Sequence, residues 1–171
     1  KQIENLVNEF SDFARMPKPI LKKNDLTAII NDNVKLLSQI DTSIKINFSP
    51  IKFPILYESD KEQMNRVIFN LIKNSIESIQ QKAENIGNFA KIIDIEIFEK
   101  NDQISIIITD NGLGFVSFSN NLNEILNPYV TTKKNGTGLG LSIVNKIIND
   151  HNGKLKFVSI PNGAKVEIIF N

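Results

Sequence analysis

Three short stretches of the chain carry residue types that could do chemistry. In the first, glycines alternate at Gly136, Gly138 and Gly140 and run into an apolar-periodic segment, Leu141, Val144, Ile147 and Ile148. Glycine permits positive φ and close backbone approach. The first turn of the following helix offers N–H groups without intrahelical partners and the positive end of the helix dipole. Such a loop suits an anion, phosphate above all, although taken alone a tight turn is the plainer reading. The second stretch places Asn70, Asn74 and Glu77 at i, i+4 and i+7, hence on one helix face. A solvated face would look the same. Asparagine is a poor helix-interior residue, however, and an amide oxygen suits a hard cation such as Mg²⁺. The third is Asp110 with Gly112 and Gly114. A carboxylate at a strand end could accept a hydrogen bond from an exocyclic amine while glycine backbone closes over a flat ring; a plain D-x-G turn fits equally well.

Hydrophobic periodicity supplies the elements that must position these stretches. Residues 1–16 read as a helix through Ile3, Leu6, Val7, Phe10 and Phe13, ended by Pro17 and Pro19. It reads either as the tail of a longer helix from another module or as a helix docked on its own domain. A linker follows to residue 24. Asp25 is the expected N-cap of a helix burying Leu26, Ile29, Ile30, Val34 and Leu37. Strands are expected over Ile44–Phe48 and Ile55–Tyr57. Asp60, with Gln63 at the capping-box spacing, opens a helix to about Lys82 whose buried stripe is Met64, Val67, Ile68, Leu71, Ser75 and Ile79. The asparagine face lies opposite that stripe.

Residues 91–99 alternate as a half-buried strand, and 103–110 form a second, more apolar one, joined by an Asn101-Asp102 turn. Residues 116–135 are polar, with one short helical piece near Leu122–Leu126; a loop of this length is commonly a lid. After the glycine loop a helix runs to about Asp150, followed by strands Lys154–Ile160 and Ala164–Phe170.

The 171 residues, 41% hydrophobic and 23% charged, suit one α/β domain with a real core. A net charge of +1 gives no basic field for nucleic acid. Absence of cysteine excludes disulfides and thiolate zinc sites. Apolar runs are far short of a membrane span, so no direct membrane contact is expected. The start does not look like a signal peptide, and a cytoplasmic location is the expectation.

In order and spacing the three stretches resemble the ATP-binding domain of the GHKL superfamily, the Bergerat fold of gyrase-type ATPases, chaperones, mismatch-repair ATPases and sensor histidine kinases. NLIKNSIES (70–78) resembles the N box, DNGLGF (110–115) the first glycine box, NPYVTTK (127–133) the F-box region with Tyr129 in place of phenylalanine, and GTGLGLSIV (136–144) the second glycine box. The resemblance covers residues 25–170. LVNEFSDFARMPKP (6–19) is similar to the end of the dimerisation and phosphotransfer helices of nitrogen-regulation sensor kinases of the NtrY type.

The resemblance implies a two-layer α/β sandwich: a mixed, largely antiparallel sheet of about five strands with three main helices on one face. It implies 1–16 as the end of a dimerisation helix, 17–24 as linker and 25–171 as catalytic domain. Asp110 would bind the adenine amino group, with Gly112 and Gly114 bringing backbone to the base. Asn74 would coordinate Mg²⁺, with Asn70 beside it. Gly136, Gly138 and Gly140 would hold phosphates, Lys133 the γ-phosphate, and Lys73 a further phosphate. Tyr129 would anchor the lid by packing. Glu77, Thr132, Thr137, Leu139 and Leu141 complete the implied nucleotide site.

Relatives that hydrolyse ATP carry a glutamate where Asn70 stands, and an amide is no general base. The resemblance therefore implies a histidine kinase that holds ATP for an acceptor brought from elsewhere. His151, the one histidine, lies in DHNGK and reads as a turn or C-cap residue. The phosphoacceptor is then expected on a dimerisation domain outside this chain, with relay to a response regulator. Relatives also carry a threonine where Ala164 follows Gly163. Two rivals remain: a GHKL ATPase whose nucleotide drives dimerisation, and an interaction module that no longer binds nucleotide.

Overall fold

The computed structural model describes residues 16–49, 53–115, 122–131 and 137–171. The helix expected over 1–16 lies outside the described residues, apart from Met16.

Among the described residues seven strands and three α-helices follow one another: β1 (Lys22–Asp25), α1 (Leu26–Leu37), β2 (Lys45–Phe48), β3 (Leu56–Ser59), α2 (Lys61–Ile86), β4 (Ile92–Lys100), β5 (Gln103–Asp110), α3 (Gly140–Asp150), β6 (Gly153–Ile160) and β7 (Gly163–Phe170). A 3-10 turn over Leu122–Leu126 lies where a short helical piece was expected. The main sheet has the order β2-β4-β5-β7-β6, with only the β2–β4 pair parallel. Along β4 the alternation resolves cleanly: Ile93, Ile95 and Ile97 are buried towards the helices, while Asp94, Glu96 and Phe98 face out. Ile104, Ile106 and Ile108 of β5 and Ile168 and Phe170 of β7 join them, and α1, α2 and α3 close the layer. Asn101 and Asp102 both have positive φ, 51° and 61°, as a two-residue type I′ hairpin requires. No helix among the described residues is long and apolar enough to cross a membrane.

Three local expectations change. Residues 22–25 are a strand, not linker: β1 pairs antiparallel with β3 in a separate two-stranded sheet, Lys22 opposite Ser59. Four polar residues leave no hydrophobic periodicity to read, and only the distant partner makes the strand. α2 continues past Lys82 to Ile86 and ends at Gly87, whose φ of 80° suits glycine. Lys82 is held there by partners outside the helix, described below.

The third change concerns the start of α2. Asp60 caps it as expected, accepting from Glu62 N and Gln63 N, but Gln63 does not complete a capping box. Its Nε2 donates to Pro17 O at 3.1 Å instead. The Asp60 N–H goes to His151 Nε2 at 3.0 Å, and His151 Nδ1 lies 2.7 Å from Ile147 O. An amide can only donate and a carbonyl only accept, so the ring carries its proton on Nδ1. His151, 1% exposed, is the C-cap residue of α3, as its position suggested, and also joins α3 to the N-terminus of α2. Asp60 Oδ2 accepts from Ile20 N as well. Burial works against the Asp60 charge, but the N–H groups of Ile20, Gln63 and Glu62 outweigh it and hold the carboxyl below its usual range. That contribution to stability is present at neutral pH and is lost as pH falls through the lowered value.

His151→Ala would leave a buried donor and a small void. A cost of about 3 kcal/mol is expected from the two together, read as a lower urea midpoint with unchanged slope. A loss under about 1 kcal/mol would mean that water replaces the ring.

Candidate functional site

α2 forms the floor of the candidate site and presents its residues in sequence. Asn70, Asn74 and Glu77 are half-buried, as a face lining a cleft would be, and Lys73 is exposed. At the Asn70 end the helix meets the glycine loop: a Cβ built on Gly140 would lie 4.0 Å from Asn70 Oδ1. At the other end it meets the Asp110 loop, where Ser75 Oγ donates to Asp110 Oδ2 at 2.9 Å. Five residues of helix rise, about 7.5 Å, separate the two contacts. The three motifs, far apart in sequence, thus meet on α2.

Asp110 ends β5, 6% exposed. Its Oδ1 accepts from Gly112 N at 2.9 Å. Burial pushes its carboxyl above the usual range, and the hydrogen bonds from Gly112, Ser75 and the Ala164 backbone, with the nearby Lys82 charge, only partly offset this. A buried carboxylate with that much held against it is the kind of group that functional sites collect. The loop behind it is nailed to α2 and β4. Leu113 N donates to Ser78 Oγ, Lys82 Nζ donates to Asn111 O at 2.7 Å, and the Asn111 side chain joins Ala90 O and Ile92 N. Gly112 and Gly163 are glycines for want of room: side chains there would run into Ser78 and into the Asp110 carbonyl.

At the opposite end, α3 starts at Gly140 with no side-chain cap on its N-terminus. Gly138 has φ 70°, and its carbonyl accepts from Tyr129 N at 3.1 Å. Uncapped N–H groups beside a glycine in the left-handed region suit a phosphate. Leu139 is fully buried in the core and can offer only backbone to a ligand, while Leu141 is partly buried against that core. Tyr129 has φ 68° and is 55% exposed. Lys73 pairs with Glu77 at 3.8 Å, an exposed i,i+4 contact worth little. Thr137 lies beside Leu139 N, at 3.4 Å. Thr132, Lys133 and Gly136 lie outside the described residues.

Among the described residues no group of three His, Cys, Asp or Glu could hold a metal ion. A transition-metal site is therefore not built from them. The amide oxygens of α2 suit Mg²⁺, which keeps several waters and draws its other ligands from phosphate.

The family model described as histidine kinase-, DNA gyrase B-, and HSP90-like ATPase matches residues 59–171. The chain belongs to this family. As a histidine kinase-, gyrase- and HSP90-like domain it is 33% identical over 162 residues to the nitrogen regulation protein NtrY of Azorhizobium caulinodans. Against a putative NtrY-like sensor histidine kinase of Rickettsia conorii it is 34% identical over 170 residues. These matches take in 94% and 99% of the chain but only 20% and 27% of the two relatives, so the chain spans about a quarter of their length or less. The mycobacterial sensor histidine kinase MprB superposes with a TM-score of 0.73 at 17% identity, over 88% of this chain and 96% of that one. The expected fold is therefore the observed one.

Ser75, Ser78, Lys82 and Asn111 take part in the site though sequence reasoning did not assign them. Ser75, Ser78 and Lys82 do recur at i, i+3 and i+7, but a small hydroxyl such as Ser75 within an apolar stripe looks like packing.

Proposed function

We propose that this chain is the ATP-binding catalytic domain of a two-component sensor histidine kinase, with residues 1–16 ending a dimerisation helix and 25–171 forming the catalytic domain. The strand at Lys22–Asp25 moves the structural start of that domain slightly upstream. Asp110 accepts from the 6-amino group of adenine, with Gly112 and Gly114 against the ring. Gly136, Gly138 and Gly140, with the start of α3, take the phosphates, and Lys133 and Thr132 close on them. Asn74, with Asn70 beside it, would hold a Mg²⁺, which would supply positive charge to the phosphates. The observation that carries this reading is that α2 joins Asn70 to the glycine loop and Ser75 to Asp110.

Asn70 cannot take a proton from water near neutral pH. The domain thus holds ATP in position, and a histidine nitrogen supplied by another domain attacks the γ-phosphorus. The P–N bond forms as the P–O bond to ADP breaks. His151 cannot be that nucleophile, because both ring nitrogens are bonded and the side chain is buried. The acceptor belongs to a dimerisation domain, the next acceptor is a response-regulator aspartate, and the domain works on the cytoplasmic side of a membrane-anchored sensor.

Mixing the chain with γ-labelled ATP and a separately made dimerisation domain should put acid-labile label on histidine in that domain and none on this chain. Steady ATP turnover by the chain alone would instead favour an ATPase. Asn74→Ala should leave Mg²⁺-free nucleotide binding nearly unchanged and remove most of the gain that Mg²⁺ gives, about tenfold or more. Calorimetry with and without Mg²⁺ checks it; an unchanged Mg²⁺ effect would move the ion to other residues.

A further inference from the structure

Ser75 donates to the oxygen of Asp110 that the loop does not hold. Gly112 N binds Oδ1, and Ser75 Oγ binds Oδ2 at 2.9 Å. Ser75 itself is 5% exposed, inside α2. Its hydroxyl is the one side-chain donor recorded on this carboxylate among the described residues. The carboxyl group is therefore held by backbone contacts from the loop and from Ala164 of β7, and by one side-chain contact from the helix floor. We infer that Ser75 is a positioning residue for base recognition, holding the Asp110 carboxylate so that it accepts a 6-amino purine and rejects a 6-oxo purine. This rests on the reading of Asp110 as the nucleobase residue.

The chemistry follows from donor and acceptor counting. An ionised carboxylate only accepts, so it pairs with an amino group and repels a carbonyl oxygen; a protonated one can donate to that carbonyl. Burial already raises the Asp110 carboxyl, and Ser75 is among the contacts that hold it ionised. The charged group acting on it is Lys82, from α2. Its partners across β4 and β7 are Ile93 and Ala164, which carry no charge. Without the Ser75 hydroxyl the carboxyl is both freer to turn and easier to protonate. Both changes erode discrimination between the two purines.

The test is calorimetric titration of the chain with ATP and with inosine triphosphate, whose base differs at the 6-position. Wild type should prefer ATP. Ser75→Ala and the volume-keeping Ser75→Cys, a weak donor, should each lose about tenfold in ATP affinity and more of it than in inosine triphosphate affinity. Their ATP binding should also fail at a higher pH than that of wild type. Ser75→Thr, which keeps the hydroxyl, should keep the preference. Melting curves establish that each variant is folded. An unchanged ATP-to-inosine ratio in the alanine and cysteine variants, or an equal loss in the threonine variant, overturns the role of Ser75 alone. A wild type that binds neither nucleotide overturns the nucleotide reading with it.

Discussion

Asp110→Asn is expected to weaken ATP binding at least about 100-fold while leaving the unliganded chain as stable as wild type, within about 1 kcal/mol. The two effects separate because the charge serves the ligand and burdens the fold. Burial lifts the Asp110 carboxyl above its usual range, so ionisation costs stability that rises as pH climbs through the raised value. Asparagine removes that cost. It cannot, however, accept from Ser75, Gly112 and a base amine together, since one of its two terminal atoms is an N–H₂ donor. For wild type the same shift implies that ATP affinity falls on mild acidification, earlier than for an ordinary carboxylate. Calorimetry and thermal melts on the same samples check both halves. Retained ATP affinity would remove Asp110 from the base site, and a large loss of stability would make it a structural residue.

Gly163→Ala should be the most disruptive single methyl in the described chain. The added carbon would meet the Asp110 carbonyl oxygen and crowd Asn111 Cα, both backbone atoms that no rotamer change can move. β7 would have to part from β5 where Ala164 pairs with Asp110. An overpacking cost of about 3 kcal/mol follows, or a melting temperature lower by roughly 6–12 °C. ATP binding should weaken too, because the displaced strand carries the carbonyl against which Gly114 turns. Gly87→Ala is the control. It has φ 80° but nothing near its Cβ position, so only strain of about 1 kcal/mol is expected. Equal melting temperatures for the two variants would show that β7 yields freely at this turn.

Much of the fold was legible because it rests on local patterns. The 3.6-residue stripes of α1, α2 and α3 and the alternation of β4 need only a single buried face to become regular elements. The caps at Asp25 and Asp60 act on the next three residues, and the Asn101-Asp102 turn on itself. The four motifs also stood out in the chain, because glycine, asparagine and aspartate at fixed spacing are rare together.

Long-range hydrogen bonds decided the rest, since a donor's partner many residues away leaves no mark on local spacing. β1 is a strand only because Leu56–Ser59 lies beside it. Gln63 sits at a capping-box position, yet His151, 91 residues from Asp60, takes the amide instead. Ser75 looked like a small core residue until β5 brought a carboxylate to its hydroxyl. Residue types and spacing therefore determined the elements, the motifs and the family they resemble. Which polar groups pair in the interior, and so how the Asp110 carboxylate is held, was settled only by the packing of α2 against β5 and α3. Desolvation there makes an unpaired donor costly, and geometry alone selects its partner.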